Sequence, residues 1–72
     1  MDPVTLRPYL PVDRRQLERL ALLDECRVPA QPVVVAEAGG RLVAALSKST
    51  GEAVADPFEP TAHLVEMLRV TP

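Results

Sequence analysis

Little in this sequence can stack, cross-link or chelate. Its two aromatic rings, Tyr9 and Phe58, make up 3% of the chain, and tryptophan is absent. No series of π-faces is available on which successive bases of a nucleic acid could lie. Lys and Arg total 8 against 10 Asp and Glu, a net charge of −2, so no general electrostatic pull toward a polyanion follows. The lone cysteine, Cys26, excludes an intrachain disulfide framework, and with a single histidine it excludes a Cys/His structural zinc site. The longest unbroken apolar run is five residues, Leu42 to Leu46, far below the ~20 that a membrane-spanning helix needs. The opening Met1-Asp2-Pro3 has no basic start and no apolar block, so no signal peptide is expected. A reducing, cytoplasmic compartment is the expectation.

What the chain does have is small apolar bulk. Hydrophobic residues make up 47% of 72, chiefly ten Leu, ten Val and nine Ala, with no Ile. That is enough for a globular core and argues against disorder. The length allows one domain, expected to span residues 1–72. A chain of this size buries only about 60% of its unfolded surface, and unstapled domains this small often gain further burial by oligomerising.

Turn residues divide the chain into elements. Val4 to Leu10 begins with alternation and is broken by Pro8, which predicts a short edge strand. Pro11-Val12-Asp13 opens a helix: Asp13 as N-cap, Gln16 three residues on completing a capping box, Val12 and Leu17 at staple positions. Leu17, Leu20 and Ala21 form its apolar stripe, with Arg14–Glu18 and Arg15–Glu18 as charge pairs. This helix should fade near Cys26, ahead of Pro29 and Pro32. Val33 to Ala38 and Arg41 to Ser47 are strands joined by Gly39-Gly40, a two-residue hairpin signal. Both are apolar on both faces: Val33 and Val35 against Val34 and Ala36, then Leu42, Ala44 and Leu46 against Val43 and Ala45. Such a hairpin must be covered on both sides. Ser49-Thr50-Gly51 makes a turn into a short strand, Glu52 to Asp56. After a proline-punctuated loop, Thr61 caps a last helix with Leu64, Val65 and Leu68 inward and Met67 at the border; a start at Pro57 with Asp56 as cap is the alternative. The expected fold is α+β, β-α-β-β-β-α, with a helix on each face of a four-stranded antiparallel sheet.

That order, with the phrases Leu6-Arg7-Pro8-Tyr9, Pro11-Val12-Asp13, Val33-Val34-Val35-Ala36-Glu37 and Gly39-Gly40-Arg41-Leu42-Val43-Ala44-Ala45, resembles the N-terminal half of a GNAT-superfamily N-acetyltransferase. The resemblance implies a fold in which Val54-Ala55-Asp56-Pro57-Phe58 occupies the place of strand four. It also implies where acetyl-CoA would bind: a Gln/Arg-x-x-Gly-x-Gly/Ala loop after that strand, whose free N–H groups hold the pyrophosphate. Here that stretch is Ala55-Asp56-Pro57-Phe58-Glu59-Pro60-Thr61-Ala62. It has no glycine, two residues without an N–H and two negative charges, all opposed to anion binding. The second helix of the family has no room between Cys26 and Val33, and its strands five to seven and fourth helix are missing. The resemblance therefore assigns no catalytic, cofactor-binding or metal residue to this chain.

Candidate chemistry is sparse. His63 in the first turn of the last helix, near Glu59 and Glu66, has the company a general base wants; a partly exposed helix residue is the plainer reading. Cys26 with His63 would make a nucleophile and base, against the commoner fate of a buried or interface cysteine. Arg14, Arg15 and Arg19 put positive charge near a helix N-terminus, the unfavourable end, which suggests an acidic or nucleotide partner unless Asp13 and Glu18 neutralise them. Arg41 is the polar start of a strand. Asp56 and Glu59 are a carboxylate pair or ordinary turn chemistry. Phe58, between prolines, is a plug for the core or for a partner surface.

Three functions are carried forward. The first is a non-catalytic, acetyltransferase-like half domain acting as a homodimer through protein contacts, with its fourth strand as an exposed edge. The second is an acyl-CoA binder or N-acetyltransferase completed by dimerisation, with acetyl-CoA as cofactor. The third is a regulator that binds an acidic partner or nucleotide through Arg14, Arg15 and Arg19.

Overall fold

The fold is seen in a computed structural model that describes residues 3–71. It is α+β, with strands β1 (Val4–Pro8), β2 (Val33–Ala38), β3 (Arg41–Ser47) and β4 (Ala53–Ala55). A 3-10 turn over Pro11–Asp13 leads into helix α1 (Arg14–Leu23), and helix α2 (Ala62–Val70) follows β4. The sheet is antiparallel throughout, in the order β1-β2-β3-β4. β1 is an edge as Pro8 required, but it stops at Pro8 rather than Leu10. Tyr9 donates to the Val33 carbonyl at 2.9 Å, so alternation turns the Pro8 nitrogen outward, where a missing N–H costs no ladder bond.

Gly39 and Gly40 both take positive φ, 60° and 77°, the backbone that a tight hairpin turn requires. The two strands they join separate two apolar layers. Leu17 and Leu20 of α1 pack with Val33, Val35, Leu42, Ala45 and Val54; Leu64 and Leu68 of α2 pack with Val34, Ala36, Val43, Ala44 and Leu46. The expected phase of β3 therefore holds for Leu42 and Val43 and fails from Ala44 on. Ala36 opposes Ala44 while Glu37 opposes Leu42, which leaves Val43 as an extra residue in a β-bulge. A bulge resets the alternation, so Val43 and Ala44 both face α2 and Ala45 joins Leu42 under α1. The Val43 carbonyl accepts the Asp56 N–H at 2.9 Å, tying the bulge to the end of β4.

The start of α1 also differs from expectation. Asp13 makes no side-chain cap on the helix. Its buried carboxylate instead accepts the Leu10 N–H at 2.7 Å and both terminal nitrogens of Arg7, at 2.7 and 2.9 Å. The Arg7 Nε donates onward to Glu37 at 3.0 Å. Gln16 does not close a capping box; its Oε1 accepts the Leu42 N–H at 2.9 Å and its Nε2 donates to the Gly40 carbonyl at 3.4 Å. Val12 is 81% exposed and forms no staple. Glu18 reaches Arg14, at 3.6 Å on the surface, rather than Arg15.

Helix α1 ends at Leu23, before Cys26. Cys26 donates to the Ala21 carbonyl and Glu25 to that of Leu22, with Glu25 at φ 53°, the pattern of a Schellman C-cap that usually carries glycine. β4 is shorter than expected, three residues within Glu52 to Asp56. Helix α2 starts at Ala62, not at Pro57, because Asp56 is spent on a turn of its own. Its last carbonyls are held by Lys48, whose ammonium donates to Leu68 and Arg69 at 3.3 and 3.2 Å and to Thr71, a cation at the favoured end of the helix.

Candidate functional site

The hairpin turn and the start of α2 meet at one end of the sheet and leave a groove of about 320 Å³ between them. Val4, Ala38, Val43 and Leu64 give it apolar walls; Arg41, Glu59, Pro60, Thr61 and His63 complete its lining. Each side chain is there for a local reason. Arg41 is the first residue after the two glycines, so it stands at the end of β3. Val43 faces the groove because the bulge turns it toward α2. Glu59 lies ahead of the helix and reaches across to Arg41, with Nη2 to Oε1 at 2.8 Å. Both members of that pair are partly exposed, so it contributes little to stability.

His63 lines the groove and is exposed. Of its two expected neighbours, Glu59 lies outside the helix and pairs with Arg41, and Glu66 pairs with Arg69 at 3.7 Å. Among the described residues no carboxylate is hydrogen-bonded to the imidazole, so nothing orients it as a general base needs. Cys26 sits in the turn after α1, while His63 belongs to the helix on the other face of the sheet. The Cys26 thiol donates to Asp24, at 3.1 Å to its carbonyl. It is pushed up by desolvation, then by the charge and hydrogen bond of Asp24, with Glu52 and Glu25 adding to the shift. A raised thiol is mostly protonated at neutral pH and is a poor nucleophile. Arg14, Arg15 and Arg19 lie exposed along α1, and Arg14 pairs with Glu18 at 3.6 Å. Among the described residues no group of three or more His, Cys, Asp or Glu side chains is placed to hold a metal ion.

The connection from β4 to α2 is closed on itself. Asp56 is buried, its Oδ1 accepts the Phe58 N–H at 2.8 Å and its carbonyl accepts the Glu59 N–H at 3.2 Å. Pro57 and Pro60 have no N–H to offer. From Asp56 to Pro60 the backbone donors are thus absent or already taken. Asp56 and Glu59 do not act as a carboxylate pair, since each has a different partner. Phe58 is 82% exposed and plugs no core.

One cluster has no counterpart among the expected sites. Arg7, Asp13 and Glu37 form a partly buried chain of charge on the α1 side of β1 and β2. The bonds from Arg7 hold the Asp13 carboxyl below the usual carboxylate range, although burial opposes them. The same bond raises the Arg7 guanidinium further above its own high value. All three side-chain nitrogens of Arg7 and both carboxylate oxygens of Asp13 are engaged, so the cluster locks the strand to the helix start.

Compared with known proteins, the chain matches no family model, no curated protein and no solved structure. No described helix is long and apolar enough to cross a membrane.

Proposed function

We propose that this chain is a non-catalytic, acetyltransferase-like half domain that acts as a homodimer through protein contacts. The observation that carries the reading is the self-closed connection between β4 and α2. A diphosphate is held by free backbone N–H groups, and here Asp56 and the two prolines leave none to give from Asp56 to Pro60, the stretch that leads into α2. Asp56 and Glu59 add negative charge beside the place a pyrophosphate would take. The unoriented imidazole of His63 and the protonated thiol of Cys26 support the same reading, because neither is equipped for acyl transfer.

The test is a thermal melt with and without acetyl-CoA, run beside light scattering on the same sample. A ligand that binds only the folded chain raises its melting temperature, by about 2.7 kcal/mol of added stability at a hundredfold excess over Kd. The expected result is an unchanged melting temperature together with a mass above that of one chain. A rise of several degrees with acetyl-CoA overturns the non-catalytic reading and favours the acyl-CoA-binding alternative.

A further inference from the structure

We infer that two copies of this chain join along the outer edge of β1, with β1 antiparallel to its equivalent about a two-fold axis at Thr5. The inference rests on the homodimer reading above and supplies its surface. The two edges of the sheet differ in what they offer. β4 has only three residues, and the outward Ala55 N–H is already accepted by Asp24 at 3.2 Å. Asp24, Glu25 and Glu52 gather near that edge, close enough that all three act on the Cys26 thiol. A two-fold contact there would set acid against acid, and like charges facing each other suppress pairing.

The β1 edge is open and neutral. The bond from Tyr9 to Val33 and the register with β2 turn Thr5 and Arg7 inward. Val4 and Leu6 then point their N–H and C=O groups outward, and among the described residues no hydrogen bond reaches them. Val4, Thr5 and Leu6 carry no charge. With Thr5 on the axis, Val4 lies opposite the partner's Leu6 and Leu6 opposite the partner's Val4. All four outward N–H groups then find a carbonyl, and Pro8, which has no donor, falls outside the paired stretch.

The side chains agree with the backbone. Leu6 packs with the α2 layer and Val4 lines the groove, 42% exposed. The helix packs over β3 and β2, leaving the β1 side of that sheet face open. Pairing would set the partner's Leu6 beside Val4 and extend the apolar wall. Met67 and Val70, 46% and 82% exposed, follow His63 at helical spacing along the flank of α2 nearest that opening. A five-residue strand is about 16 Å long, and a strip of that length falls well below the ~800 Å² per partner of a standard stable interface. The association is therefore weak and concentration-dependent.

Sedimentation velocity of the full chain from about 10 µM to about 1 mM, the range in which small interfaces associate, tests this. Val4→Pro removes an outward donor without touching the internal ladder. Thr5→Lys puts two ammonium groups on the axis, the way natural edge strands block pairing, and Thr5 is exposed, so the fold is kept even where the proline is not tolerated. The wild-type mass should rise toward two chains, and each variant should weaken association at least tenfold. A wild-type dimer that both variants leave intact overturns the β1 assignment while the homodimer reading stands. A wild-type monomer at every concentration overturns both.

Discussion

Replacing the Asp13 carboxylate by an amide removes the charge that Arg7 pairs with, leaving its guanidinium Glu37 and the Pro8 carbonyl, and leaves one acceptor oxygen where two now serve Arg7 and the Leu10 N–H. The Arg7 side chain is about a quarter exposed and that of Asp13 4%, so the loss lies between that of a surface pair and that of a fully buried one. Asp13→Asn should cost about 2 kcal/mol, read from the midpoint of urea unfolding. The sign of the pH dependence follows from the direction of the Asp13 shift. Its folded carboxyl is held below the unfolded value of about 3.9. The stabilisation is therefore complete above that value and is lost as pH falls toward the folded one. The gap between wild type and Asp13→Asn should stay constant at neutral pH and close progressively below about pH 4.

At the scale of elements, the strongest test is the end of α1. Glu25 holds a left-handed backbone that costs a residue with a Cβ roughly 1 kcal/mol and costs glycine almost nothing. Glu25→Gly should raise stability, by up to about 1 kcal/mol in thermal or urea unfolding; a clear loss would mean that the Glu25 side chain does something at the cap that its contacts do not reveal. The elements themselves were largely legible. Gly39-Gly40 between two apolar runs specified the hairpin, and the valines of β2 fell on the faces that their alternation gave. The bulge at Val43 was not legible. Nothing local distinguishes Val43 from Ala44 or Ala45, and the extra residue is set by partners far along the chain, Asp56 among them. The same reason hid the role of Asp13, whose spacing to Gln16 fits a capping box while Arg7, arriving from β1, offers a stronger charge-assisted partner. At the candidate groove, Arg41, Glu59 and His63 stood out as residue types. Their convergence depends on the hairpin turn meeting the start of α2, which no local pattern encodes.

At the scale of the whole molecule, the radius of gyration is 10.6 Å, against about 11 Å for a folded chain of this length. Among the described residues fifteen apolar ones are buried within one chain, so the single chain closes its own core. That closure depends on how firmly α1 stays on the sheet, and the Gln16 side chain offers a way to watch it. Most strand amides are shielded from solvent deuterium by a neighbouring strand. The Leu42 amide is shielded by a side chain carried on a helix, so each lifting of α1 bares it while the sheet stays paired. Its deuterium uptake in native-state exchange therefore reports detachment of the helix as a local opening, separate from global unfolding. Gln16→Ala should quicken uptake at Leu42 markedly while leaving Val35 and Ala45, deep in the ladder, close to the global rate.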